Sequence, residues 1–230
     1  MTMTNTTLKD RATPRAEDTR RRIYDAALDL FREKGFEQTT MRDIASKAGV
    51  ALGAAYYYFS SKDAIVLAFY HELQQSSHDE ILKSLSGYKK LKDRIRLVLD
   101  KRIELLAPNR KFCAALFRHA PDSADPLSPF STETHAIREA AVEHMRIAME
   151  GGDVKVPGDL KPRLPYLLWL YQMALIMFWL YDRSPNQQRT QRLMEKSLGL
   201  LVNLLRISAL PLMKPLRKAA LDLLETAEAQ

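Results

Sequence analysis

The chain has 230 residues, 46% hydrophobic and 27% charged, enough for one large or two modest domains around a real core, which excludes a disordered or collagen-like chain. Its 8 glycines and 11 prolines are few for this length while Leu, Ala, Lys, Arg and Glu abound, so long helices are expected, and the single cysteine, Cys113, excludes an intrachain disulfide. The net charge of +7 suits an anionic partner, and the excess is about twice as dense over residues 1–62 as over the remainder.

Residues 1–16 are polar, threonine-rich and lack apolar periodicity, which reads as a disordered basic arm. No charged-then-apolar leader opens the sequence, so a cytoplasmic location is expected. From Glu17 to Lys34, Ile23, Ala26, Ala27, Leu30 and Phe31 recur at three- and four-residue spacing, and Gly35 follows at a C-cap position, giving a first helix. It opens on Arg20, Arg21 and Arg22, a run suited either to a solvated helix start or to phosphate contact. Thr40 and Asp43 form an acidic variant of the capping box, starting a two-turn second helix that ends at Gly49. A third short helix fits between Ala51 and Tyr58, and Ser60 with Asp63 forms another capping box for a long helix from Ser61 to about Leu85.

Beyond Gly87, Leu91, Ile95, Val98, Leu99, Ile103 and Leu106 form one helical stripe, which Pro108 interrupts. A short helix spans Phe112 to His119, a proline-containing loop follows, and a further helix runs from about Ser131 to Met149. Gly151-Gly152 and Pro157-Gly158 mark a hinge or exposed loop. Two long apolar helices follow, Pro162 to Tyr181 and Pro185 to Ile207, with Ser184 as N-cap and Pro185 at the first helical position of the second, and an amphipathic helix from Leu212 to Ala227 comes last. Leu164 to Tyr181 carries no charge over 18 residues, the length at which a bilayer span has to be weighed. Pro165, Gln172 and the equally apolar Leu193, Leu198, Leu201, Val202, Leu204 and Leu205 argue instead for burial against the core and a second subunit, with no membrane partner.

Residues 38–62, QTTMRDIASKAGVALGAAYYYFSSK, have the features of a DNA-reading helix-turn-helix. Ile44, Ala45 and Ala48 supply an inner face, Gly49 permits the turn, and Tyr58 and Phe59 anchor the second helix of the motif. Ala51, Gly53, Ala54 and Ala55 keep the outer face slim enough for a major groove about 12 Å wide. The helix starts near Thr40 and Lys62 are suited to phosphate oxygens.

The segment from about Thr19 to Phe69 resembles the DNA-binding domain of the tetracycline-repressor (TetR/AcrR) family. The resemblance rests on G-F-x-x-T-T, I-A-x-x-A-G-V and Y-x-Y-F-x-S-K within Ile23 to Ile65, and covers about 50 residues. It implies an all-α protein: an N-terminal three-helix helix-turn-helix DNA-binding domain, residues 17–60, joined to a larger helical ligand-binding and dimerisation domain, residues 61–230. It also implies that Tyr56 contacts the DNA backbone, Lys62 holds a phosphate, Thr40 caps the second helix beside the strand, and Arg42 reads a base or binds a phosphate. Two positions depart from the family pattern: Ala51 stands where Ser or Thr is usual before the recognition helix, and Leu52 where a polar residue is frequent. Polar readout by the third helix is therefore sparse, with Leu52, Ala54 or Ala55 against thymine methyl groups and Arg42 and Tyr57 supplying polar discrimination.

One helix-turn-helix contacts few base pairs, so a homodimer on double-stranded operator DNA is expected, paired through the helices at about 162–181 and 185–207. Regulation needs a second site. Phe112, Phe117, Trp169, Met173, Met177 and Phe178, with Gln172 and His119 as polar anchors, are candidate walls for a small, mostly apolar effector. The runner-up is a lipid- or hydrophobic-ligand-binding protein of the same fold without DNA binding. His71, His78, His119, His135 and His144 lack metal-ligand spacing and read as surface or interfacial. Cys113 reads as a buried hydrophobe, and no phosphate loop or G-x-S-x-G is present. No metal, cofactor or catalytic residue is expected.

Overall fold

The computed structural model describes residues 13–228, apart from the side chains of 224, 225, 227 and 228, and among these residues the regular structure is entirely helical. The chain divides into two compact units, residues 1–66 and 67–230. The division falls inside a helix rather than at the expected 60/61 boundary, and Ile65 and Val66 on its N-terminal side are both buried.

In the first unit, α1 covers Pro14–Glu33. Most of the expected N-terminal arm, residues 1–12, lies outside the described residues. Its last residues are ordered, contrary to expectation: Thr13 caps the helix, its Oγ1 accepting from the Ala16 amide at 3.3 Å, and Pro14 occupies the first position, where its fixed φ favours helix and no amide is missed. The helix buries Ile23, Tyr24, Ala27 and Phe31. Gly35 takes φ +91° beyond its end, a conformation that disfavours any side chain.

Helix α2, Met41–Ala48, has both halves of the anticipated capping box: the Asp43 amide donates to Thr40 Oγ1 at 3.2 Å and the Thr40 amide donates to Asp43 Oδ2 at 2.9 Å. Gly49 ends it at φ +65°. Helix α3, Leu52–Tyr58, packs on α2 and has no side-chain cap, as Ala51 dictates. Helix α4, Lys62–Leu85, is capped by Ser61, whose Oγ accepts from the Ala64 amide at 3.1 Å, one residue later than the expected Ser60.

The second unit holds most of α4 together with α5 (Leu91–Leu106), α6 (Arg110–Leu116), α7 (His135–Glu150), α8 (Leu164–Tyr181), α9 (Gln188–Ser208) and α10 (Lys214–Glu228). Five of the six stripe residues of α5 are buried, Ile103 being partly exposed, and four of them, Leu91, Ile95, Val98 and Leu99, join Met145 and Met149 of α7, Leu168 and Leu175 of α8, and Leu198 and Val202 of α9 in one core. Each such aliphatic side chain contributes roughly 1.5–3 kcal/mol on burial, so the alignment of these stripes dictates the helix order. Pro108 does not simply break α5, because it sits in a 3-10 turn, Ala107–Asn109, that feeds directly into α6. The helix after the proline loop starts at His135 rather than Ser131, since Ser128, Ser131 and Thr134 hold a turn: Thr134 Oγ1 donates to the Ser128 carbonyl at 2.7 Å. Gly151 and Gly152 are no open hinge. A Cβ on Gly152 would lie 2.9 Å from Leu91 Cβ, so the glycine permits close approach to α5.

Helix α8 is the one unbroken described helix long and apolar enough to cross a membrane, and half of it is buried inside the unit. Two left-handed residues, Asn186 (φ +49°) and Gln187 (φ +52°), delay α9 to Gln188. Its cap is Asp182 rather than Ser184 alone: this buried carboxylate accepts from the Thr190 amide at 2.9 Å and Thr190 Oγ1 at 2.7 Å, as well as from the Ser184 amide and hydroxyl. Burial pushes its pKa up, but these four hydrogen bonds outweigh burial and hold it well below the usual carboxylate range.

Candidate nucleic-acid interface and internal cavity

The outer surface of α3 follows from its sequence, LGAAYYY, in which no side chain carries a charge. Helical periodicity turns Ala55 and the following Phe59 inward, and both are buried; Ala55 is fully enclosed and makes no part of an outward surface, which corrects its expected contact with DNA. Leu52, Gly53, Tyr56 and Tyr57 remain on the outside, Tyr57 at 83% exposure and Tyr56 at 50%, with Ala54 half-buried beside them. Two phenols standing in solvent on a seven-residue helix are not explained by packing within the unit.

Three cationic groups surround the motif in different states. Arg42, in the first turn of α2, is exposed and has no partner among the described residues. Lys62 Nζ donates to the Phe36 carbonyl at 2.8 Å and lies 4.4 Å from the centre of the Phe36 ring, which fixes its position and leaves two N–H bonds for an acceptor. Lys34 is held by Asp43 at 2.6 Å. That bond, with those from Thr40, lowers the Asp43 carboxyl to about 2 and keeps the cap ionised. Thr40 is therefore fully engaged in capping: its hydroxyl donates to Asp43 Oδ2 at 2.8 Å while accepting from the Asp43 amide.

The arginine run has structural partners. Arg20 stacks on the Phe59 ring at 4.8 Å, Arg21 pairs with Asp25 at 3.0 Å, and Arg22 donates to the Ala48 carbonyl at 2.5 Å. Arg22 thus closes the C-terminus of α2, where a cation complements the helix dipole. Sequence reasoning missed this contact, and its only signal was a basic residue directly ahead of the apolar stripe.

The second unit contains an apolar cavity of about 130 Å³. Phe117, Trp169, Gln172 and Met173 line it, as expected. Phe112 does not: it is buried against Phe69, with ring centres 5.5 Å apart. His119 is turned to Asp125, Nδ1 to Oδ2 at 2.5 Å. Met177 and Phe178 do not line the cavity and are 49% and 40% exposed: Phe178 is turned about 140° around α8 from Met173, and Met177 stands about one full turn further along the helix. They border a surface groove with Tyr181 and Leu193. Cys113 lines the cavity, and burial pushes its thiol up to about 12, so it stays protonated.

Polar groups other than Gln172 in the cavity wall were not anticipated. Gln74, Arg102, Thr134 and Arg138 all face it. The sequence signal for Arg102 was its place three and four residues beyond Leu99 and Val98, on the buried stripe of α5. His144, read as interfacial, is fully buried, with Nε2 2.9 Å from His78 Nδ1 and Nδ1 3.4 Å from Gln74 Nε2. Burial, the nearby Arg102 and His78 push its pKa down to about 4. Among the described residues no group of three or more His, Cys, Asp and Glu side chains could hold a metal ion.

Comparison with known proteins bears on both units. Residues 23–69 match the bacterial regulatory proteins of the tetR family, and residues 94–221, over half of the chain, match the tetracyclin repressor-like C-terminal domain. A fatty acid metabolism regulator protein of Bacillus subtilis is 32% identical over 85 residues, 37% of this chain and 44% of its own length. The HTH-type transcriptional regulator SrpR of Pseudomonas putida is 47% identical over 53 residues, 23% of this chain and 25% of its own length. The matched stretch thus spans less than half the length of either relative. The crystal structure of a transcriptional regulator FadR from Bacillus subtilis, in complex with stearoyl-CoA, has the same fold at a TM-score of 0.59 and 21% identity, covering 79% of this chain and 97% of that one.

Proposed function

The chain belongs to the tetR family of bacterial regulatory proteins, and from that premise we propose that it is a ligand-responsive transcriptional repressor, a homodimer that leaves a palindromic operator when a small effector enters the cavity of its second unit. The observation that carries this reading is the outer face of α3, where Leu52, Gly53, Tyr56 and Tyr57 stand uncovered on a helix otherwise anchored by Ala55 and Phe59. Leu52 and Ala54 are placed for thymine methyl groups, the tyrosine hydroxyls and Arg42 for phosphates and base edges, and Lys62 for a phosphate. Such a protein works in the cytoplasm.

Dimerisation is supported by the outer faces of α8 and α9. Met177, Phe178 and Tyr181 of α8 and Leu193, Leu200 and Leu204 of α9 are exposed, and large apolar side chains grouped on two helices in this way suit a subunit interface. Pairing these helices presents two copies of α3 to half-sites roughly 34 Å apart or a multiple of that spacing. The effector reading is supported by the mostly apolar cavity.

The test is enrichment of duplexes from a random pool by the full-length protein, followed by affinity measurements across salt concentrations. A palindrome should emerge whose affinity falls steeply with salt, the slope decreasing by about one for Arg42→Ala. An unenriched pool, or affinity indifferent to salt, would overturn the proposal and favour a ligand carrier of the same fold.

A further inference from the structure

The cavity's lining holds two guanidinium groups, Arg102 and Arg138, and no Asp or Glu. Arg102 is 7% exposed. Among the described residues its polar contacts reduce to one, a bond from Nη2 to Gln74 Oε1 at 2.5 Å, and its Nε has no partner at all. Arg138 is half-buried and donates through Nη1 to the carbonyls of Pro129 at 2.8 Å and Ser131 at 3.2 Å, again with no carboxylate. The Oε1 atom of Gln172, a residue in the same wall, is buried without a donor.

A guanidinium stays charged in any protein environment, and enclosing one without a counter-ion costs several kcal/mol. The same helix shows how this fold satisfies a buried arginine when the role is structural: Arg94 is hydrogen-bonded to the carbonyls of Leu85, Tyr88, Ile147 and Ala148. Arg102 has no such set, and the empty volume lies beside it.

We propose that the effector is an amphipathic carboxylic acid bound as its anion, with the carboxylate on Arg102, Arg138 as second cation, and its apolar body along Leu106, Leu116, Trp169 and Met173. This rests on the reading of the cavity as the effector site and names the chemistry that site takes. Carboxylate and guanidinium match as planar, two-pronged partners, and the match is strongest where water is excluded. A neutral lipid or a hydrocarbon would fill the apolar part and leave both cations unpaired. A thioester of the same acyl chain lacks the carboxylate at the reactive end, so acid and thioester are distinguishable.

The experiment is calorimetric titration of the full-length protein with matched probes: octanoate, octanamide and octanoyl-CoA, then 3-phenylpropionate and 3-phenylpropanamide. Each acid should bind about tenfold to a hundredfold tighter than its amide, the range expected for a hydrogen-bonded charge pair. In Arg102→Gln that preference should collapse, and in Arg138→Gln it should shrink. The acid–amide comparison on the unaltered protein stands even if Arg102→Gln fails to fold. Amide or thioester binding as tight as the acid, with release of the enriched duplex by those probes, would overturn the carboxylate assignment while leaving the regulator intact. Absence of binding by every probe, with the duplex still bound in their presence, would overturn both the assignment and the cavity's role as effector site.

Discussion

The two ends of α5 each bury an arginine, and the two arginines are in opposite states. At the N-terminal end Arg94 is 7% exposed and its guanidinium gathers four main-chain carbonyls from the ends of α4 and α7 and the turn after α4. At the C-terminal end Arg102 is equally enclosed, holds a single side-chain acceptor, and borders empty volume. Equal burial therefore does not mean equal purpose. Carbonyls at helix ends need donors, and a guanidinium that supplies them locks those ends together. A guanidinium left short of acceptors has a capacity that something outside the chain can fill.

Substitution should separate the two ends sharply. Arg94→Met strips donors from four carbonyls at once and should lower unfolding stability by about 3 kcal/mol in urea denaturation. Arg102→Met should act in the opposite direction, leaving the ligand-free protein unchanged or more stable by about 1 kcal/mol, because an apolar side chain of similar length replaces an ill-paired buried cation. A loss at position 102 as large as that at position 94 would erase the distinction between them.

A smaller effect involves His144, which contacts the same polar group of side chains. Its folded-state pKa of about 4 lies below the ordinary histidine value of 6.5, so the unfolded chain binds the extra proton first as pH falls. Its contribution to stability is complete above pH 6.5 and is lost progressively down to about pH 4. Thermal unfolding followed across that window should show a slope that His144→Gln reduces. The smallest stability effect belongs to the first unit: Tyr57→Ala, at a position 83% exposed, should change stability by less than about 0.5 kcal/mol. The same substitution should weaken binding to the enriched duplex about tenfold, which anisotropy would read, since a base-edge or phosphate contact contributes roughly 1–3 kcal/mol.

The first unit was legible because its signals are local. Thr40 and Asp43 sit three residues apart, Gly49 needs a left-handed turn, and Ala51 cannot cap, so the chain itself announces where α2 and α3 begin and end. Ala55 was misjudged because smallness was taken for outwardness, although its phase matches Phe59, an inward residue. The second unit was legible in its stripes and opaque in its cavity. Met177 and Phe178 have the same chemistry as Met173 and Trp169, and only their place on α8, a turn further along for Met177 and turned away around the axis for Phe178, separates surface from cavity. Arg102 lay on the apolar stripe of α5, but whether a charged residue there is satisfied depends on α4 and α7, which are distant in sequence. The start of α9 depends likewise on Asp182 reaching eight residues forward to Thr190.

The most direct test of the whole account is anisotropy of the full-length protein on its enriched duplex during parallel titrations with an acid and its amide. The account predicts that the acid releases the duplex, lowering affinity at least about tenfold, and that the amide does so only at far higher concentration. A duplex that stays bound at saturating acid, or that the amide releases equally well, would contradict it.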